Sequence, residues 1–113
     1  MENDTSLPYS ISISFIEAPI FSKLVYDYLS EDEYAALQWT LAARPETGKV
    51  IPGSGGLRKV RWSAKGKGKR GGTRIIYFYQ KENQNWLITI YAKNEVESIP
   101  AKTLKAIKEE LGK

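Results

Sequence analysis

The sequence predicts an α+β domain with helices packed on one face of a mainly antiparallel sheet. Three observations lead there. Apolar residues after the first strand segment recur at helical steps of three and four, whereas those in the second half alternate at a step of two. Three of the alternating segments follow one another through short loops, which is the pattern of an antiparallel meander. At 113 residues the chain has room for one core and not for two. The expected order is β-α-α-β-β-β-α.

Residues 1–10 are polar, end in Pro8-Tyr9-Ser10 and read as a loose N-terminal arm ahead of a single domain over 11–113. Ile11 to Glu17 alternate, with Ile11, Ile13 and Phe15 on one face, which signals a strand. Pro19 then suits the first turn of a helix, where its missing N–H costs little. Phe21, Leu24, Val25 and Tyr28 give that helix one apolar face. Ser30-Glu31-Asp32-Glu33 fits a capping box that opens a second helix. It runs to about Ala43, buries Tyr34, Leu37, part of Gln38 and Leu41, and stops before Arg44-Pro45.

Gly48 to Gly56 reads as a turn-rich connection. Leu57 to Ser63 reads as a strand, with Leu57, Lys59 and Arg61 on one face and Arg58, Val60 and Trp62 on the other. A glycine-rich loop follows, then strands over Arg74–Gln80 and Trp86–Ala92, with Asn83-Gln84-Asn85 as the turn between them. A last helix begins near Pro100 and turns Leu104, Ile107 and Leu111 toward the sheet. The opposite face of the sheet is expected to lie open and to carry several basic residues.

Composition excludes whole classes of function. The chain is 42% hydrophobic and 27% charged, which is globular rather than disordered. No stretch approaches the roughly 20 apolar residues of a membrane span and no leader is visible, so no membrane partner and a cytoplasmic location are expected. Cysteine and histidine are both absent. Disulfides, thiolate zinc sites and a Ser-His-Asp triad are therefore ruled out, and neither a metal nor a cofactor is expected. Catalysis has to use Lys, Arg, Tyr or carboxylates.

The charge is segregated. Between Thr47 and Lys81 there is no Asp or Glu, yet the window holds ten of the 17 basic residues; the rest of the chain has 7 basic and 13 acidic residues. A solvated surface normally intersperses both signs, so a block of one sign is a footprint for a polyanion.

Two groups stand out within that window. Gly66-Lys67-Gly68-Lys69-Arg70-Gly71 formally matches a dinucleotide-binding motif. That motif must open a helix, whereas here a strand follows. Gly72 also stands where a Walker loop needs its lysine. The loop reads instead as a flexible cationic finger, with Lys65, Lys67, Lys69 and Arg70, together with Arg58 before it, gripping RNA phosphates. The second group is Lys59, Arg61 and Arg74, with Tyr91 and Lys93 closing the third strand of the meander. Metal-free cleavage of RNA needs a base for the 2′-OH, positive charge for the pentavalent phosphate and an acid for the leaving oxygen. A lysine among other cations is a candidate base. A surface that only grips phosphate would carry the same residue types. Trp62, Tyr77, Tyr79, Trp86 and Tyr91 lie on strands, where one or two could stack on bases. Core packing is the commoner use, above all for Trp86 and for one of Tyr77 and Tyr79.

The runs Gly56-Leu57-Arg58-Lys59-Val60-Arg61-Trp62, Gly66 to Tyr77, and Ile90-Tyr91-Ala92-Lys93-Asn94-Glu95 resemble the HigB branch of the RelE toxin superfamily. The resemblance spans roughly residues 11 to 111. It implies a RelE-like fold and a toxin of a bacterial type II toxin–antitoxin pair. Such toxins enter the ribosomal A site and cut mRNA there without a metal. The implied partners are the ribosome and mRNA, a HigA-like helix-turn-helix antitoxin, and operator DNA bound through the antitoxin complex. By the same resemblance Lys59 and Arg61 take proton-transfer or phosphate roles and Arg74 stabilises the transition state. Asn94 stands where RelE itself has a further arginine, and its tyrosine falls near Pro100, so Tyr91 or Lys93 is the expected substitute. The rival reading is a noncatalytic nucleic-acid-binding module or transcriptional co-repressor of the same shape.

Overall fold

The computed structural model describes residues 13–63, 72–80, 83–96 and 98–112. The N-terminal arm, the start of the first strand and the Gly/Lys loop fall outside these residues. The element order is β1 (Ser14–Glu17), α1 (Pro19–Tyr28), α2 (Glu31–Ala43), β2 (Lys49–Val50), β3 (Arg58–Trp62), β4 (Thr73–Gln80), β5 (Gln84–Ala92) and α3 (Ala101–Glu110). One five-stranded sheet has the order β1-β5-β4-β3-β2. β1 joins β5 in parallel, and the other three pairings are antiparallel. The α+β class and the predicted order hold, with one added strand.

Local chemistry explains most boundaries. Pro19 occupies the first turn of α1. At α2 the Ser30 hydroxyl accepts from the Glu33 N–H at 3.1 Å, and the Glu33 carboxylate accepts from the Ser30 N–H at 2.7 Å, which completes the capping box. Asn83, at φ 65°, precedes β5 in the connection from β4. The predicted turn was placed too late. β5 already begins at Gln84, and Asn85 is a buried strand residue paired with Phe15 and Tyr79.

The core is divided by the sheet. On the first face, Val60, Ile75, Tyr77, Leu87 and Ile90 pack with Phe21, Val25, Leu37 and Leu41 of α1 and α2. On the second face, Leu57, Ile76, Ile88 and Tyr91 pack with Leu104 of α3, flanked by Phe78, Trp86 and Ile107. Helices therefore cover both faces, which corrects the expectation of one helical face. Strand alternation requires it: Ile75 and Tyr77 point one way, Ile76 and Phe78 the other, and both sets are apolar. Only α3 is left to cover the second set. It covers part of that face and leaves the rest open.

Candidate functional site: a cationic cleft on the second face

Strand register builds the open part of the second face. Arg61 of β3 lies opposite Arg74 of β4, and Arg74 lies opposite Tyr91 of β5. One pleat away, Lys59 lies opposite Lys49 of the added strand β2. Directly opposed residues share a face, with Cβ atoms about 4.5–5.5 Å apart. The result is two neighbouring rows, Lys49–Lys59 and Arg61–Arg74–Tyr91. Thr47, Lys49, Lys59, Val60, Arg61 and Arg74 line a cleft of about 440 Å³, and no carboxylate is among them.

A β-bulge sets the phase of Tyr91. Ile76 pairs with Thr89 and Tyr77 with Leu87, so Ile88 is an extra residue on β5. Strict alternation from Trp86 would put Tyr91 on the first face. The inserted residue returns it to the second, beside Arg74. Arg74 is 7% exposed and Tyr91 5% exposed. Burial pushes the Tyr91 phenol above its usual pKa, and the Arg74 charge draws it partly back. The phenol therefore stays protonated at neutral pH.

Gly72 joins these groups. It has φ +77°, and its carbonyl accepts from the Lys93 N–H at 3.2 Å. A methyl group at Gly72 would stand 3.6 Å from Arg74 Nη1 and 3.8 Å from Arg61 Cγ. Glycine here lets the chain enter β4 hard against both arginines. Lys93 lies in the exposed turn after β5 and is not among the residues lining the cleft.

The wall of the cleft is held from behind. The Gly48 N–H donates to the Tyr77 hydroxyl at 2.8 Å, and that hydroxyl donates to the Pro45 carbonyl at 2.8 Å. Arg58 Nη1 donates to the Gly48 carbonyl at 2.7 Å and to the Glu46 carbonyl at 3.3 Å. A Cβ on Gly48 would meet the Tyr77 ring and hydroxyl and the Lys59 carbonyl oxygen at 2.9 Å, so the segment packs at glycine distance. Arg58 lies on the first face and fastens the Thr47–Lys49 segment; it does not join the cationic rows. Tyr77 is likewise structural.

Of the residues singled out from the sequence, Lys59, Arg61, Arg74 and Tyr91 come together, and Lys93 adjoins them through its backbone. Lys65, Lys67, Lys69 and Arg70 lie outside the described residues. Lys49 and Thr47 were missed. Lys49 belonged to the acid-free window, but a connection read as turns gave it no face. Among the described residues, no three His, Cys, Asp or Glu side chains gather as a metal site, and no helix is long and apolar enough to cross a membrane.

The family model described as "RelE toxin of RelE / RelB toxin-antitoxin system" matches residues 42–113, well over half of the chain. The chain belongs to the RelE toxin family. The match takes in every strand and side chain of the cleft. Among solved structures, a double arginine-to-alanine mutant of the E. coli toxin RelE in the free state is similar at a TM-score of 0.57. It shares 12% identity, and the similarity covers 87% of this chain and 98% of that one. That likeness establishes the RelE fold. Membership of a toxin–antitoxin family implies a cognate antitoxin as partner.

Proposed function

We propose that this RelE-family toxin is a ribosome-dependent endoribonuclease that cuts mRNA in the A site by attack of a 2′-OH, without a metal. The observation that carries this reading is the pair of like-charge rows facing each other across the strands. Like charges directly opposite one another destabilise a sheet. Two such rows side by side in one cleft, with no acid among the described lining residues, favour a polyanionic occupant that spans them.

Roles follow from chemistry. Lys59, which lines the cleft, is the base for the 2′-OH, with Lys93 in the turn after β5 as the other candidate. Arg61 and Arg74 hold the pentavalent phosphate, whose charge grows as the bond forms. Tyr91 suits the acid that protonates the leaving 5′ oxygen, because burial keeps its proton on. Its ring lies within the second apolar cluster, which leaves the hydroxyl rather than a stacking face for chemistry. Lys49 adds a phosphate contact. The cationic loop over 64–71 and its Lys65, Lys67, Lys69 and Arg70 grip ribosomal RNA. The HigB-like sequence runs favour a helix-turn-helix antitoxin of HigA type, operator binding through that complex and action in the cytoplasm.

Primer extension on an mRNA translated by purified ribosomes tests the reading. The wild type gives cuts at A-site codons that vanish without ribosomes. Arg74→Ala lowers the cutting rate by roughly 10²–10³-fold, as loss of one oxyanion-type donor does. If the folded wild type makes no cuts, the reading fails in favour of a binding module. If Arg74→Ala cuts normally, the assignment of Arg74 fails.

A further inference from the structure

The second face carries one more cationic feature, separate from the cleft. The hairpin loop between β2 and β3 runs Pro52-Gly53-Ser54-Gly55-Gly56, and its three glycines have φ +78°, +81° and +98°. Ser54 is fully buried and fixes the loop from inside. Its hydroxyl donates to the Ile51 carbonyl at 2.6 Å and accepts from the Leu57 N–H at 3.0 Å. The N–H groups of Gly53, Gly55 and Gly56 take no partner among the described residues. All three glycines are exposed.

Two lysines of α3 stand over this loop. A methyl group on Gly55 would meet Lys108 Nζ at 3.2 Å and Lys105 Cγ and Cε at 4.0 Å. Lys108 is fixed there, with its ammonium 4.5 Å from the centre of the Phe78 ring. Phe78 in turn lies 3.4 Å from the Cβ direction of Gly56. Ala101, at the start of α3, closes the other side of the loop at 3.9 Å from the Gly53 Cβ direction. A rigid glycine loop with unused N–H donors beside two ammonium groups has the chemistry of an anion site. Gly56, two residues before β3, and Lys59 within it are three residues apart, at most about 10 Å of extended chain.

We infer that Gly53, Gly55, Gly56, Lys105 and Lys108 form a second phosphate-binding site, which takes a backbone phosphate of the RNA strand whose neighbouring segment lies in the cleft. The inference rests on the proposed action on RNA and adds where the strand leaves the cleft. It assigns α3 a contact in addition to its packing role, with Leu104 and Ile107 facing the sheet and the next residue of each pair facing the phosphate.

The test is filter binding of the full chain to a single-stranded 2′-O-methyl RNA, which resists cleavage, over a series of salt concentrations. Each lost phosphate contact lowers the slope of log K against log salt by about 0.7. The variant Lys105→Gln/Lys108→Gln therefore loses about 1.4 from the slope. Lys23→Gln, on exposed α1 across the sheet, keeps the wild-type slope and controls for the loss of one positive charge elsewhere. Lys105→Gln/Lys108→Arg retains the charge over Phe78 and loses only about 0.7. If the double variant matches the Lys23→Gln control, the site is overturned. If duplex DNA shows the lysine dependence and the RNA does not, the assignment to RNA is overturned. Primer extension on the wild type is read in parallel. A wild type that binds with the lysine-dependent slope but never cuts removes the nuclease reading and leaves the phosphate site standing.

Discussion

Replacing Gly72 by alanine strikes the point where backbone geometry and the cleft meet. Gly72 has φ +77°, in the left-handed region. An L-residue there costs about 1–2 kcal/mol. The new Cβ would also sit 3.2 Å from the Trp62 carbonyl oxygen, a backbone atom that can yield only by shifting β3. The peptide cannot rotate freely to escape, because the Gly72 carbonyl holds the Lys93 N–H. The expected loss is therefore about 1–3 kcal/mol, seen as a lower urea midpoint at constant slope. The melting temperature falls by roughly 4 °C per kcal/mol at this chain length. A shift of β3 at Trp62 also moves Arg61, its neighbour on that strand, and the proposed A-site cleavage falls by on the order of 10²-fold for a displacement of about 1 Å. Gly72→Asn separates the two effects. Asparagine tolerates the left-handed region better, so stability returns toward wild type. Its Cβ still presses on the Trp62 carbonyl oxygen, so β3 stays shifted and cleavage stays low. An alanine variant that unfolds at the wild-type midpoint and cuts at the wild-type rate would refute the argument that glycine is required at this position.

Two further predictions concern tyrosines. Tyr77→Phe removes the hydroxyl that accepts from the Gly48 N–H and donates to the Pro45 carbonyl, leaving a donor unpaired on buried Gly48. The cost is about 1–3 kcal/mol, read as a urea midpoint, and a change within error of zero would remove Tyr77 as the anchor of the cleft wall. Four tyrosines, Tyr28, Tyr34, Tyr77 and Tyr91, ionise above the usual 10.0. Tyr28 is raised to about 12, first by its hydrogen bond to Glu95; Tyr34 is raised first by burial and then by its bond to Glu17. The unfolded chain ionises these phenols near 10 while the fold keeps them neutral. Stability is therefore whole below that pH and falls as pH rises from there toward about 12. Urea midpoints across that range check it, Tyr34→Phe flattens the decline, and a midpoint that does not change refutes it.

What the sequence could reveal follows from the range of each interaction. Capping at Ser30, the stop at Pro45 and the faces of β3 depend on neighbours within a few residues, and all were legible. The alternation of Lys59 and Arg61 against Arg58 was correct, and it alone placed two cleft residues together. β2 was not legible, because Lys49 and Val50 form a strand only through their pairing with β3. Nor was the placement of α3. Its apolar stripe of Leu104, Ile107 and Leu111 shows that one side is buried, but not which face of the sheet buries it. The bulge at Ile88 was equally hidden, since an extra residue breaks the period on which face assignments rest. Arg58 illustrates the same limit. Its charge is plain in the sequence, but its partners, the carbonyls of Glu46 and Gly48, are twelve and ten residues away.

The two faces of the sheet divide stability and function between them. The first face is closed by two helices and filled with aliphatic and aromatic side chains from every long strand. A buried apolar side chain there contributes about 1.5–3 kcal/mol. The second face tolerates Lys49 opposite Lys59 and Arg61 opposite Arg74, arrangements that work against folding. Such a surface persists only where packing elsewhere outweighs it, which is the usual relation between a functional site and its scaffold. α3 completes the division. It takes Leu57, Ile76, Ile88 and Tyr91 out of water and stops short of the cationic rows. A helix extended over those rows would have to bury Lys49, Lys59 and Arg61 as well as the already buried Arg74. The partial cover of α3 is therefore what leaves the cleft open.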